Sequence, residues 1–390
     1  MRSTTRASAL ALGGSAVVAG LSLLAFPALA GAQVRPSPGS TRGIARAVFV
    51  QTNAKTGNQI LAYSRSSSGT LAFVHAYNTG GRGARAAGAV VDPLASQGSL
   101  YYDPTGALLI AVNAGSNTIS TFRVHGDVLR NRQVVGAGDF PVSITSHGRL
   151  VYVLDGGGRG AVRGYVAAKG GLEPIAGSER TLGLDPDATP RYLNTPGQVG
   201  FTPDGARLVV TTKANGSDID VFGVRPSGRL SKAAVKTVSA EPVPFGFVFD
   251  PRGRLVVTEA GIGDVSTYAI HANGSAAHIS TKPNGQAAPC WVASVGGWYY
   301  VDNAGSGDVS AYEVSSSGKA SLIAANGGIA ATTDTGPTDL AGSSNGKFVY
   351  VEAGGTGAVD EFAVNANGTL SSLGSITGLS GTGIEGIVAS

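Results

Sequence analysis

Between residues 46 and 390, short runs of alternating apolar and polar residues are separated by clusters of Gly, Asn, Asp, Ser and Pro. A period of two marks half-buried strands, and such clusters mark the turns between them. Over this alternation lies a longer repeat. A small or polar residue, an aliphatic residue, two variable residues and an aromatic recur seven times: Gln59–Tyr63, Thr118–Phe122, Ala161–Tyr165, Asp218–Phe222, Asp264–Tyr268, Asp308–Tyr312 and Ala358–Phe362. Spacing of roughly 40 to 60 residues is the range of propeller blades and similar arrays.

Residues 196–238 show one unit most clearly. Gln198–Phe201 reads as a first strand, and Thr202-Pro203-Asp204-Gly205 as a turn. Proline presets φ there, aspartate bonds nearby backbone and glycine allows positive φ. Leu208–Thr211, Asp218–Val224 and Leu230–Val238 supply three more strands, and four antiparallel strands make a blade. Matching second strands are Ala47–Gln51, Leu108–Val112, Leu150–Leu154, Leu255–Thr258, Tyr299–Val301 and Phe348–Val351. Residues 46–53 read as a second strand lacking a first, and residues 383–390 as a first strand lacking a second. The expected architecture is therefore an all-β, seven-bladed β-propeller (46–390), closed by the C-terminal strand completing the N-terminal blade; closure removes an edge open to wrong pairing.

Composition changes the picture at the N-terminus. Arg2 and Arg6 precede an alanine-rich apolar run with small residues at Ala28-Leu29-Ala30, so residues 1–32 read as a secretory signal peptide and 33–45 as a flexible lead. No later run is long enough to span a bilayer. The formal charge is +4, and removal of Arg2 and Arg6 leaves it near +2 with dispersed basic residues, so no nucleic-acid partner is expected. A lone cysteine, Cys290, excludes an internal disulfide and reads as a buried small hydrophobe. The expected protein is a secreted monomer. Asp155-Gly156-Gly157-Gly158 invites a phosphate-loop reading, but a strand-like segment follows where a helix N-terminus is needed. Asn-Gly-Ser/Thr at 215, 273 and 367 matches the glycosylation pattern, though two of the three fall at hairpin turns.

Three segments carry a resemblance: Pro196–Gly205, Pro244–Asp250 and Asn303–Tyr312. With them the chain resembles the lactonase-like seven-bladed propellers, which include bacterial 6-phosphogluconolactonases and fungal carboxymuconate-lactonizing enzymes. The resemblance covers nearly all of residues 46–390. It implies opening or closing of a small lactone or sugar-acid ring. Active members tend to carry histidine just after proline at the entry to a first strand. Here those positions are Val142, Gly197, Phe245, Cys290 and Thr338. The departure favours the alternative, a non-catalytic extracellular ligand- or protein-binding propeller.

In a propeller, equivalent points of each repeat ring one mouth. The ends of the second strands carry Asn53, Asn113, Asp155, Lys213, Glu259, Asn303 and Glu352; the entries to the first strands carry Ser99, Ser143, Gln198, Gly246, Trp291, Asp339 and Glu385. Glu259 and Lys213 end the second strands of blades five and four and are expected side by side. They are the candidate catalytic pair, a carboxyl acid or base beside a cation for an anionic group or oxyanion. Arg191, Gln198, Trp291, Asn303, Asp339, Glu352 and Glu385 are candidate ligand contacts for a small-molecule or carbohydrate-derived ligand, Trp291 by stacking on a sugar ring. The carboxylates alternatively suit Ca²⁺, which takes several oxygen ligands. No other cofactor or metal is expected, and the bland reading is a solvated channel whose polar groups cap backbone.

Overall fold

Alternation and turn chemistry produce strands throughout. The computed structural model describes residues 46–168, 171–379 and 383–390; the expected signal peptide and lead lie outside them. Seven antiparallel sheets follow one another along the chain. Blade two runs Leu100–Asp103, Leu108–Asn113, Thr118–His125 and Val128–Gly136 from the axis outward, and blade five runs Pro244–Phe249, Leu255–Glu259, Asp264–Ile270 and Ala276–Pro283. Blades three and six each carry a short extra strand, Arg180–Thr181 and Ile329–Thr332, on the third strand.

The repeated aromatic explains how blades stack. Tyr63, Phe122, Tyr165, Phe222, Tyr268, Tyr312 and Phe362 are all buried. Each sits on a third strand, where a large ring fills the wedge between sheets. Burying one such side chain stabilises by roughly 1.5–3 kcal/mol. Tyrosine hydroxyls then reach the preceding or following blade. Tyr165 donates to the Gly136 carbonyl at 2.8 Å, Tyr152 to Gly228 at 2.8 Å and Tyr350 to Gly69 at 2.6 Å. The turn in blade four behaves as its residues dictate. Thr202 Oγ1 donates to Asp204 Oδ1 at 2.6 Å, Asp204 Oδ1 accepts the Ala206 N–H, and Gly205 has φ +67°.

Closure is as expected but shorter. Only Ile387–Ala389 is strand, pairing antiparallel with Ala47–Gln51 through Val48–Ala389, Phe49–Val388 and Val50–Ile387. Gly383 and Gly386, with φ +124° and +116°, break extended geometry ahead of it. The end is tied down by Arg65, whose Nη2 donates to the Ser390 carbonyl at 2.5 Å. In blade four the outer strand starts at Val235, because Leu230 makes only an isolated bridge to Val224. No helix among the described residues is long and apolar enough to cross a membrane.

Candidate functional site

The connection from Asn78 to Leu100 shapes the centre of the molecule. At 21 residues it is far longer than a hairpin loop, the class of connection that carries lids and binding segments. Asp92 Oδ1 accepts the Ala95 N–H at 2.6 Å, Pro93 sits inside that turn, and Ala95 takes φ +56°. This folds residues 91–97 across the ring axis. Leu94, Ala95 and Ser96 are buried. Ser96 Oγ donates to the Val142 carbonyl of blade three at 2.8 Å. The Gln97 N–H donates to Gly197 at 3.0 Å. The Gln97 amide donates to the Val292 carbonyl at 2.9 Å and accepts the Val292 N–H at 3.0 Å, replacing a strand neighbour in blade six. Leu94 N–H donates to Glu385 Oε2 at 2.6 Å. The mouth foreseen as solvated is filled by the chain itself, because a buried backbone needs a partner for every polar group.

This segment fixes the role of Lys213. Its ammonium is fully buried and donates to the carbonyls of Ala95 at 2.5 Å and Tyr192 at 2.6 Å and to Thr195 Oγ1 at 3.0 Å. It also lies 5.1 Å from the centre of the Phe245 ring. Burial pulls its pKa down to about 8, opposed chiefly by the charge of Asp92. Glu259 does not join it. Glu259 Oε1 accepts from Ser239 Oγ at 2.7 Å and Tyr268 at 3.0 Å, tying down the connection between blades four and five. Burial pushes its pKa up to about 8. No hydrogen bond or ion pair joins Lys213 and Glu259 among the described residues, so the expected side-by-side pair is corrected. The acidic neighbours of Lys213 are Asp92 and Glu385, and each strand end serves its own crossing loop.

The same logic places most other candidates. Asn303 Nδ2 donates to Asp308 Oδ1 at 2.6 Å and Ser310 Oγ at 2.9 Å, and its Oδ1 accepts from Asn284. Glu352 Oε2 accepts the Gly386 N–H at 2.8 Å, while its Oε1 is buried without a partner among the described residues. Glu385 holds Leu94 and Ser96. Trp291 is not open to a sugar: it is fully buried, Nε1 donates to the Ser96 carbonyl at 2.8 Å, and its ring stands edge-on to Phe245. Arg191 donates to the carbonyls of Pro186 and Gly156 and lines a surface groove of about 320 Å³ with Arg85, Asp139 and Phe140. Cys290 is buried and its thiol pushed well up by burial, against a nucleophilic role.

Burial also pushes Asp302, Glu352 and Glu385 well above the usual carboxylate range and Asp339 up to about 8. Two of these groups cap backbone N–H groups freed where inner strands bulge after proline, in blades six and seven, while Glu352 and Glu385 take the N–H groups of Gly386 and Leu94. Asp302 Oδ1 accepts from Trp291 N–H at 3.0 Å, and Asp339 Oδ1 from Leu340 N–H at 2.8 Å. The structure contains no set of three or more His, Cys, Asp or Glu side chains, among the described residues, arranged to hold a metal ion.

Two expected ligand contacts do come together. Below the segment, on the ring axis, lies a cavity of about 280 Å³ lined by inner strands of six blades. Gln97, Gln198 and Asp339 stand at its closed end; Tyr101, Phe201, Phe247 and Phe249 contribute aromatic walls. Gln198 Oε1 accepts the Phe247 N–H at 2.6 Å. Its Nε2 has no partner among the described residues. Tyr101 and Phe249, lining residues toward the far ends of the inner strands, are half-buried, so the cavity meets solvent on the side away from the segment. The 91–97 crossing was missed from sequence. The length of the 78–100 connection and its Asp-Pro turn were the available signals.

Solved structures with this arrangement are seven-bladed propellers. A putative 6-phosphogluconolactonase from Bacteroides fragilis aligns with a TM-score of 0.65 at 18% identity, over 90% of this chain and 99% of that one. The Pseudomonas aeruginosa periplasmic gluconolactonase aligns with a TM-score of 0.65 at 19% identity, over 87% and 98%. The fold is that of the lactonase-like propellers. A second putative 6-phosphogluconolactonase, from Bacteroides uniformis, gives 0.63 at 18% identity over 87% and 98%. No family model and no curated protein matches the sequence. Identity this low carries the fold and not the activity.

Proposed function

We propose that this lactonase-like propeller is a secreted, monomeric binding protein for a small lactone or related ring compound, and that it holds its ligand without turning it over. One observation carries the reading: residues 91–97 fill the mouth, and Lys213 and Glu259 are buried, apart and committed to loop carbonyls and hydroxyls. The lactone class is supported by the names of the fold neighbours, and secretion by the character of residues 1–32. The test is a panel of glucono-δ-lactone, muconolactone and the uncharged lactones δ-valerolactone and coumarin, with binding followed by calorimetry and acid release by pH-stat. Saturable binding without acid release is expected. Turnover above the buffer blank, or no binding of any lactone, overturns the reading.

A second reading, ring opening, is favoured by Lys213. An amine with a pKa of about 8 beside Asp92 and Glu385 is poised for proton transfer near neutrality. It requires residues 91–97 to leave the axis. Under it, Lys213→Met abolishes turnover in the same panel.

A further inference from the structure

The axial cavity has a chemistry of its own, narrower than a general lactone site. Its walls are Leu100, Ile144, Leu340 and Ile387 together with the four aromatic rings; Gln97, Gln198 and Asp339 stand at the closed end, while Thr145 Oγ1 is occupied by the Phe201 N–H and the Tyr101 hydroxyl lies beside Ser146. None of the lining residues is basic. The nearest buried cation described above, Lys213, is spent on the carbonyls of Ala95 and Tyr192. A polyol placed here leaves most hydroxyls without partners, which costs about 1–3 kcal/mol for each unmet group. A carboxylate, such as an opened lactone, loses its hydration with no cation to replace it. At about 280 Å³ the space lies at the small end of ligand pockets, suited to one ring or two fused rings.

We propose that the axial cavity, entered from the face opposite residues 91–97, binds an uncharged, largely apolar ring compound that presents a carbonyl oxygen to Gln198 Nε2. This rests on the small-ligand reading above and narrows it: the ring is aromatic or aliphatic, not a sugar. The aromatic walls contact its faces, and the closed end sets its orientation. Asp339, whose Oδ1 and Oδ2 accept the Leu340 and Ile387 N–H groups at 2.8 and 3.4 Å, borders the same end, and burial favours its uncharged form.

The probes are 6-bromocoumarin, an uncharged fused-ring lactone; its ring-opened anion, 5-bromo-2-hydroxycinnamate; and 6-bromo-2-naphthol, a neutral ring without a lactone. Calorimetry at pH 7 is expected to show at least tenfold tighter binding of the coumarin than of the anion. Phe249→Ala, at a partly exposed wall, and Gln198→Met, which removes the donor, are each expected to weaken coumarin binding at least fivefold, with circular dichroism confirming the fold. Crystals soaked with 6-bromocoumarin locate bromine by anomalous scattering whether or not a variant folds. Bromine within the ring axis among Phe201, Phe247 and Phe249 supports the site; bromine elsewhere, or equal binding of coumarin and anion, overturns it. If the naphthol binds in the cavity while every lactone fails, the cavity stands as an apolar pocket, but the carbonyl contact at Gln198 and the lactone reading both fall. If lactones bind outside the cavity, the reverse holds.

Discussion

Glu259→Gln isolates one buried acid. Glu259 is fully buried, and its Oε2 has no hydrogen-bond partner among the described residues. Burial raises its pKa from 4.5 to about 8, against the hydrogen bonds from Ser239 and Tyr268. In the folded protein it therefore stays protonated up to about pH 8, while in the unfolded chain it ionises near 4.5. The folded state holds the extra proton, so the stabilisation is complete below pH 4.5 and is lost as pH rises toward and through about 8. At about 1.4 kcal/mol per pH unit, the loss from pH 5 to pH 8 is about 4 kcal/mol. Glutamine has the shape of the neutral acid, keeps the acceptor for Ser239 and Tyr268, and does not titrate. Urea unfolding at pH 5, 6, 7 and 8 checks this. The variant is expected to match the parent within about 1 kcal/mol at pH 5 and to exceed it by a margin that grows about 1.4 kcal/mol per unit above. Parallel curves for the two proteins across this range would refute a neutral buried Glu259.

Lys213→Met leaves the carbonyls of Ala95 and Tyr192 unpaired and strands Asp92 and Glu385 without a cation, so destabilisation of about 3–5 kcal/mol at pH 7 is expected in urea unfolding. An unchanged midpoint would show that residues 91–97 are not anchored there. Deletion of residues 383–390 removes the closing strand, the Glu385 contacts and the Arg65–Ser390 bonds; loss of cooperative thermal unfolding is expected, and a melting point within a few degrees of the parent would contradict the closure. Cys290→Ser is expected to lower stability by about 1 kcal/mol by placing a hydroxyl in an apolar setting and to leave ligand binding intact. In the native parent, Ellman's reagent should label Cys290 only after denaturant is added, and rapid native labelling would contradict its burial.

The propeller was readable because its determinants are local and repeated. The aromatic of each third strand, the Asp-Gly and Asn-Gly turns and the incomplete chain ends all point to one ring, though the outer strand of blade four and the closing strand are shorter than expected. The site was less readable because it depends on what crosses the axis. Nothing at Lys213 or Trp291 in sequence says that Ala95 and Ser96 will cover them. A polar residue at a strand end reads alike whether it faces water or caps a buried loop, as Asn303 and Glu259 do. Gln198 and Asp339 were identified because they start inner strands, the strands that border the axis whatever closes its ends.

The closing strand also constrains the order of assembly. The Ala47 N–H bonds Ser390 Oγ across 343 positions of sequence. Bringing such distant points together costs about 5 kcal/mol of chain entropy, and a three-residue strand does not repay that alone. The seam must therefore form after the intervening blades have brought its edges near. During synthesis the second strand of blade one emerges early and waits for its partner until nearly every other strand has been made. Under the secretion proposed above, a route that moves the chain unfolded would suit this dependence, since the ring would be assembled only after the whole sequence is on one side of the barrier.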